Sequence, residues 1–141
     1  MPKFARIATT PRGTPQWAVQ DGDELIALGD AFQAGDDPAD GLKLAREGVS
    51  PAQRARGQRV DPAQVQWLMP VARPGKVICL GLNYAAHAAE GGNKTPDYPS
   101  FFLRANSSLL AHQAPMVRPR VSDKFDFEAE LAVVIGQRGR H

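Results

Sequence analysis

The chain has 141 residues, 43% of them hydrophobic and 23% charged, which is typical of a globular protein of one domain or slightly more. The net charge of +2 is too small to indicate nucleic-acid binding. The single cysteine, Cys79, excludes an internal disulfide and fits a reducing compartment. Because the N-terminus does not resemble a signal peptide and no apolar run reaches the length of a membrane span, we expect a cytoplasmic protein with no membrane partner.

Residues 1–70 are predicted to form a small α+β domain. Apolar and polar residues alternate in short segments, and Asp21-Gly22 is a hairpin signal between two of them. Asp37-Pro38 and Ser50-Pro51 are helix starts, the second within a capping box, and Gly48 ends the first helix. The predicted elements are strands at 4–9, 16–19 and 24–28 and helices that begin at 38 and 51.

A proline-rich connector at residues 70–75 introduces the second predicted domain, residues 71–141. Lys76 to Leu80 is predicted to be a short buried strand, in which Cys79 packs against its neighbours rather than acting as a nucleophile. A further strand is expected at 98–104 and ends at Arg104. The Arg104 guanidinium suits a substrate carboxylate; the alternative is an ordinary exposed arginine.

A short helix is predicted between these strands, from Tyr84 to Glu90, with Asn83 as its cap and Gly91-Gly92 as its end. His87 and Glu90 are three residues apart, so they share one helix face. A carboxylate beside an imidazole fixes its tautomer and raises its basicity, which makes a general base. The alternative is a surface pair with a small effect on stability.

The segment Phe125 to Ile135 carries the other candidate chemistry. Its first half alternates strictly, and its second half is apolar throughout, which predicts a strand that is covered on both faces near its end. The carboxylates of Glu128 and Glu130 would then point to the same side, roughly 6.5–7 Å apart along the strand. Oxygen ligands in this arrangement suit magnesium, manganese or calcium. The alternative is a solvated polar face on an amphipathic strand.

Together these segments resemble the fumarylacetoacetate hydrolase family. The matching stretches are PGK at 74–76, GLNYAAHAAE at 81–90, PSFFLR at 99–104 and FEAELAVVIG at 127–136, in the family's order and spacing. The resemblance implies a mixed β-sandwich roll core, incomplete in this chain, preceded by the small α+β N-terminal domain that many members carry. It also implies a homodimer in the intact protein.

The resemblance further implies a role for each matching residue. Glu128 and Glu130 correspond to ligands of a divalent cation, which is magnesium, manganese or calcium. His87 corresponds to the base that activates water, and Glu90 orients it. Tyr84 and Arg104 are expected to contact the substrate, whereas Asp126 matches no known ligand.

The implied activity is metal-dependent hydrolysis of a C–C bond in a 2-oxo or 1,3-diketo acid of the fumarylacetoacetate or acylpyruvate type. Related members use the same enolate chemistry to decarboxylate or isomerise 2-hydroxy-dienoates in aromatic catabolism. Family members continue past the E-x-E strand to a third carboxylate ligand and a lysine, whereas this chain stops at His141. A truncated, non-catalytic remnant is therefore a further alternative, and the chain alone is not expected to be an active monomer.

Overall fold

The computed structural model describes residues 3–29, 32, 38–137, 139 and 140. They form two compact units, one of Met1–Ala72 with Leu110–His141 and one of Arg73–Leu109. Both units contain strands, and the chain also has helices, so the predicted α+β class is confirmed. The predicted division into residues 1–70 and 71–141 stays a prediction.

The first unit is built on a five-stranded antiparallel sheet. Its strands are β1 (Lys3–Ala8), β2 (Gln16–Asp21), β3 (Glu24–Ala27), β4 (Gln58–Val60) and β5 (Gln66–Leu68), in the order β4-β3-β2-β1-β5. The first three agree with the sequence prediction. The two edge strands are three residues each and lack an alternating apolar pattern, which is why the sequence does not reveal them as strands.

The turn and the caps of this unit follow the predicted chemistry. Gly22 has a φ of +61° directly after β2, a conformation that glycine adopts without steric cost. Helix α1 spans Pro38–Glu47 and helix α2 spans Pro51–Arg56. The capping box is confirmed, since the Gln53 amide donates to Ser50 Oγ at 3.2 Å and the Ser50 amide donates to Gln53 Oε1 at 2.9 Å. The predicted cap of α1, Asp37, lies outside the described residues.

Both faces of the five-stranded sheet are buried. Alternate residues of each strand point to opposite faces, and this divides the core into two clusters. One cluster includes Leu44 of α1 and consists of Trp17, Val19, Ile26, Leu28 and Leu44. The other consists of Ile7, Ala18, Leu25 and Ala27, with Trp67 partly buried beside it.

The second unit contains a two-stranded sheet and a short helix. Strand β6 (Val77–Gly81) pairs antiparallel with β7 (Ser100–Arg104), and helix α3 (Ala85–Glu90) lies between them in the chain. The prediction that the first of these strands is buried is wrong, because Ile78 is 57% exposed. Since this sheet has only two strands among the described residues, it offers few neighbours to cover an apolar side chain.

The predicted strand from Phe125 to Ile135 is wrong for this structure. The segment has no strand geometry, belongs to neither sheet, and exposes Phe127 and Leu131 by more than four fifths, at 83% and 82%. Alternation determines which side chains share a face, but a strand also needs a hydrogen-bonded neighbour. Among the described strands, none pairs with this segment.

Candidate active site and metal ligands

Helix α3 carries the candidate base. His87 and Glu90 are both exposed and lie on the same side of this helix, since residues three apart are neighbours on a helix surface. The predicted cap at Asn83 is wrong: the cap residue is Tyr84, which makes no side-chain capping bond. The Ala88 amide donates to the Tyr84 carbonyl at 3.0 Å, so the first helical turn begins one residue later than predicted.

A strained turn leads into this helix from strand β6. Leu82 has a φ of +53°, a left-handed conformation that costs a non-glycine residue roughly 1–3 kcal/mol. It lies between the end of β6 and the helix that carries His87. The sequence gives no signal for this strain, because leucine is not a residue that favours positive φ.

The C-terminal end of α3 is closed by a glycine motif, as predicted. The Asn93 amide donates to the Ala88 carbonyl at 2.8 Å, and the Gly92 amide donates to the Ala89 carbonyl at 3.0 Å. Gly92 has a φ of +69°, so the pattern is a Schellman motif. These bonds fix the last turn of the helix and therefore the position of the Glu90 backbone relative to that of His87.

The candidate substrate-binding residues also lie in the second unit. Tyr84 is 40% exposed at the start of α3, and Arg104 is exposed at the end of β7. Arg104 Nε donates to Ser108 Oγ at 3.5 Å, and Asn106 Nδ2 donates to the Pro74 carbonyl oxygen at 2.7 Å. The second bond ties the turn after β7 to the chain just before β6.

The candidate metal ligands, Glu128 and Glu130, are exposed in the segment that the sequence predicts as a strand. Their oxygen donors suit a hard divalent cation. However, the described residues bring together no group of three or more potential ligands, so this pair fits only part of a coordination sphere. The neighbouring Asp126 accepts a hydrogen bond from the Phe127 amide at Oδ1, at 2.8 Å. Without strand geometry, spacing by two residues does not fix which way the two glutamates point.

The two halves of the candidate site belong to different units. His87 and Glu90 lie in Arg73–Leu109, whereas Glu128 and Glu130 lie in the unit that contains the five-stranded sheet. The prediction that His87 approaches the carboxylates stays a prediction. His87 and Glu90 are exposed and are chemically suited to proton transfer. Glu128 and Glu130 are exposed and are chemically suited to binding a divalent cation.

Residues 76–141 match the family model described as the C-terminal domain of fumarylacetoacetate hydrolase. Through these residues the chain is similar to the fumarylacetoacetate hydrolase family. The match includes the H-x-x-E helix, β7 and the E-x-E segment, which are the stretches that carry the resemblance in the sequence.

Curated relatives show the same similarity. The chain is 39% identical over 103 residues to the mitochondrial oxaloacetate tautomerase Fahd2a of Rattus norvegicus, covering 71% of this chain and 33% of that protein. It is 42% identical over 79 residues to the mitochondrial oxaloacetate tautomerase FAHD2A of Homo sapiens, covering 56% and 25%. An uncharacterised protein of Methanocaldococcus jannaschii is 44% identical over 66 residues, covering 47% and 28%.

The chain therefore spans a third or less of the length of these curated relatives. No solved structure is significantly similar to it. Two of the three relatives are named as oxaloacetate tautomerases. In the described part of the chain, every helix is too short or too polar to cross a membrane.

Proposed function

We propose that the whole protein to which this chain belongs is an enzyme that converts a 2-oxo acid through its enol form. The names of the rat and human relatives favour keto–enol tautomerisation of oxaloacetate or a similar acid. The observation that carries the proposal is the 39% identity to the rat tautomerase over 71% of this chain. The exposed H-x-x-E helix and the exposed E-x-E segment supply side chains suited to the reaction.

His87 is the proton-transfer group in this proposal. Its imidazole removes a proton from the carbon next to the ketone, so that a C–H bond breaks and a carbon–carbon double bond forms. A proton then reaches the former carbonyl oxygen, which completes the enol; the reverse sequence restores the ketone. Glu90 accepts a hydrogen bond from the other ring nitrogen and selects the tautomer in which the reacting nitrogen is free to accept.

Arg104 and Tyr84 are the proposed substrate contacts. The Arg104 guanidinium is planar and pairs with a carboxylate through two parallel N–H bonds, so it suits one end of a dicarboxylic 2-oxo acid. The hydroxyl of Tyr84, at the start of the helix that carries His87, is a donor for a carbonyl or carboxylate oxygen. Together they would orient the acid with its reacting carbon towards His87.

Glu128 and Glu130 are the proposed ligands of a divalent cation, with magnesium or manganese preferred and calcium also compatible. When bound, such a cation withdraws electron density from the carbonyl oxygen and stabilises an enolate. Two carboxylates leave coordination positions for further ligands, which groups other than Glu128 and Glu130 would supply.

Hydrolysis of a C–C bond is the second candidate reaction, and the description of the matching family model favours it. Here His87 takes a proton from water, and the resulting hydroxide attacks the distal carbonyl of a 1,3-diketo acid. The C–C bond then breaks and its electron pair leaves as an enolate, which takes up a proton. Decarboxylation or isomerisation of a 2-hydroxy-dienoate shares this enolate, and a non-catalytic remnant would do none of these reactions.

Activity assays with the full-length protein test this proposal. Enol oxaloacetate and an acylpyruvate are supplied separately with magnesium or manganese, and loss of the enol absorbance is compared with release of the cleaved acid. We expect rapid enol-to-ketone conversion that falls at least about a hundredfold in His87→Ala, because a general base contributes about 10²–10⁴ to a rate. No acceleration of either reaction would overturn the proposal in favour of the remnant.

A matched pair of variants tests the role of the carboxylates. Glu128→Gln with Glu130→Gln should abolish both manganese binding and activity. Asp126→Asn lies on the same exposed segment and keeps an oxygen that can accept the Phe127 amide, so it should retain both. Loss of activity in Asp126→Asn equal to that in the double variant would contradict the assignment. We also expect a homodimer in the intact protein, with a cytoplasmic location, although the rat and human relatives are named as mitochondrial.

A further inference from the structure

The segment that carries Glu128 and Glu130 belongs to the same compact unit as the five-stranded sheet. It has no helix or strand of its own between residues 115 and 137. A segment without internal secondary structure takes its position from the places where it touches a more rigid element. The contacts of residues 110–137 with the sheet and with α1 are therefore among the features that can position the two carboxylates.

One contact lies at the start of this segment. The rings of His112 and Trp67 meet edge to face, with their centroids 5.5 Å apart and their planes at 82°. Trp67 is in the middle of β5, which pairs with β1 through Ile7↔Trp67, and β1 lies beside the central strand of the sheet. The position of the Trp67 backbone is therefore fixed by strand pairing, and the ring contact with His112 attaches the segment to this strand.

A second contact lies at the other end. At Gly136, a side-chain carbon would be 3.7 Å from Leu42 Cδ2 of α1, so the backbone passes within ordinary packing distance of this helix. Glu128 and Glu130 lie between the two contact points. The sheet and helix α1 thus hold both ends of the stretch that carries the carboxylates.

Trp67 is also an unusual choice for a purely apolar contact. Its indole Nε1 is buried and makes no hydrogen bond, a cost that phenylalanine would avoid. Indole, however, offers a large aromatic surface, and aromatic pairs prefer edge-to-face arrangements such as the one with His112. Tryptophan at position 67 therefore makes the ring contact with His112 while its indole N–H group remains without a hydrogen bond.

We propose that Trp67 and His112 are positioning residues: their edge-to-face contact fixes the start of the segment 110–136 on the N-terminal sheet and so limits the positions available to Glu128 and Glu130. This assigns a role to the N-terminal sheet, which has no candidate catalytic residue of its own. The consequence for cation binding rests on the proposed function, whereas the ordering of the segment does not.

Backbone ¹⁵N relaxation without any metal tests the ordering directly, on residues 1–141 that carry Leu103→Lys throughout, a change at an exposed position of the other unit that should lower association. We expect lower heteronuclear NOE values for amides 125–135 in His112→Ala and Trp67→Ala than in this parent chain, with the amides of β1–β3 unchanged. Trp67→Phe, which retains a ring, should restore most of the parent values. Gln113→Ala, an exposed neighbour, is the matched control and should leave all of them unchanged.

Manganese titration followed by electron paramagnetic resonance then tests the consequence. We expect the dissociation constant for manganese to be several-fold larger in His112→Ala than in the native chain. This result bears on the two glutamates only if Glu128→Gln with Glu130→Gln removes the signal of bound metal. If the double variant leaves manganese binding unchanged, the metal part of the proposed function fails, and the relaxation data still decide the positioning role. Unchanged NOE values at 125–135 in His112→Ala, or an equal loss in β2, would overturn the proposal.

Discussion

Strand β2 and the segment 125–131 have the same kind of sequence but different structures. Both alternate apolar and polar or small residues, and both predict a strand. In β2, Trp17 and Val19 are 3% and 2% exposed, because β1 and β3 pair with it on either side and α1 covers one face. In the segment, Phe127 and Leu131 are 83% and 82% exposed. The comparison shows that alternation predicts a face, while neighbours decide whether that face is buried.

The two regions should also differ in how they behave in solution. A strongly exposed set of apolar side chains is a site for association, whereas the sheet has already buried its own. This set comprises Phe101 and Leu103 of β7 and Phe127, Leu131 and Ile135 of the segment.

The largest expected effect concerns the association state of residues 1–141. We expect light scattering to show oligomers or aggregates, and negligible hydrolase activity at saturating magnesium or manganese. Leu103→Lys combined with Leu131→Lys should lower the scattering, because both side chains are mostly exposed and each change places a charge among the exposed apolar side chains of its own unit. A stable monomer with metal-dependent cleavage of an acylpyruvate would contradict this expectation.

The next effect compares two leucines by their burial. Leu44 of α1 is 0% exposed, so Leu44→Ala should lower the free energy of unfolding by about 2–5 kcal/mol. Leu131 is 82% exposed, and Leu131→Ala should change the free energy of unfolding by no more than about 0.5 kcal/mol. Urea unfolding followed by tryptophan fluorescence measures both. Equal effects of the two changes would mean that the segment is packed as firmly as the sheet.

A smaller effect concerns the close approach of α1 to the sheet. A side-chain carbon at Gly41 would lie 2.6 Å from Trp17 Cη2, so alanine forces the ring or the helix to move. We expect Gly41→Ala to destabilise the protein by about 1–3 kcal/mol, although alanine is the better helix former. Gly75→Ala is the matched control, since nothing lies within 4 Å of its added carbon. Stabilisation by Gly41→Ala would show that α1 packs less closely.

The smallest expected effect is at the cap of α2. Ser50→Ala removes the oxygen that accepts the Gln53 amide, and should cost about 1 kcal/mol in the same unfolding experiment. Ser107→Ala, an exposed serine in the turn after β7, provides the comparison and should have little effect. No difference between the two variants would indicate that the capping box contributes nothing measurable.

Local signals in the sequence predict much of the fold. The hairpin at Asp21-Gly22, the capping box at Ser50 and the glycine end of α3 all follow from residue types at fixed spacings, because the interactions that form them are a few residues apart. The edge strands β4 and β5 do not follow from such signals, since their pairing partners are distant in sequence. The same limitation explains the wrong prediction of a strand at 125–135.

The candidate site is predictable in its residues but not in its assembly. The H-x-x-E spacing gives His87 and Glu90 a common helix face, and the family match includes Glu128 and Glu130. The left-handed conformation of Leu82 and the contact between His112 and Trp67 depend on the three-dimensional structure, and neither leaves a mark in the local sequence. The spacing of residues along the chain also does not predict whether His87 and Glu130, which belong to different units, lie close together.

Deuterium exchange into a 2-oxo acid is a direct test of the proposed enol chemistry. Tautomerisation, hydrolysis and decarboxylation share an enol or enolate, so the full-length protein should accelerate exchange of the protons at the carbon next to the ketone of a 2-oxo acid in D₂O. Proton NMR should show this exchange in the native protein and its loss in His87→Ala, with manganese affinity unchanged. Full exchange in His87→Ala would contradict the proposed role of His87, because another group would then be moving the proton.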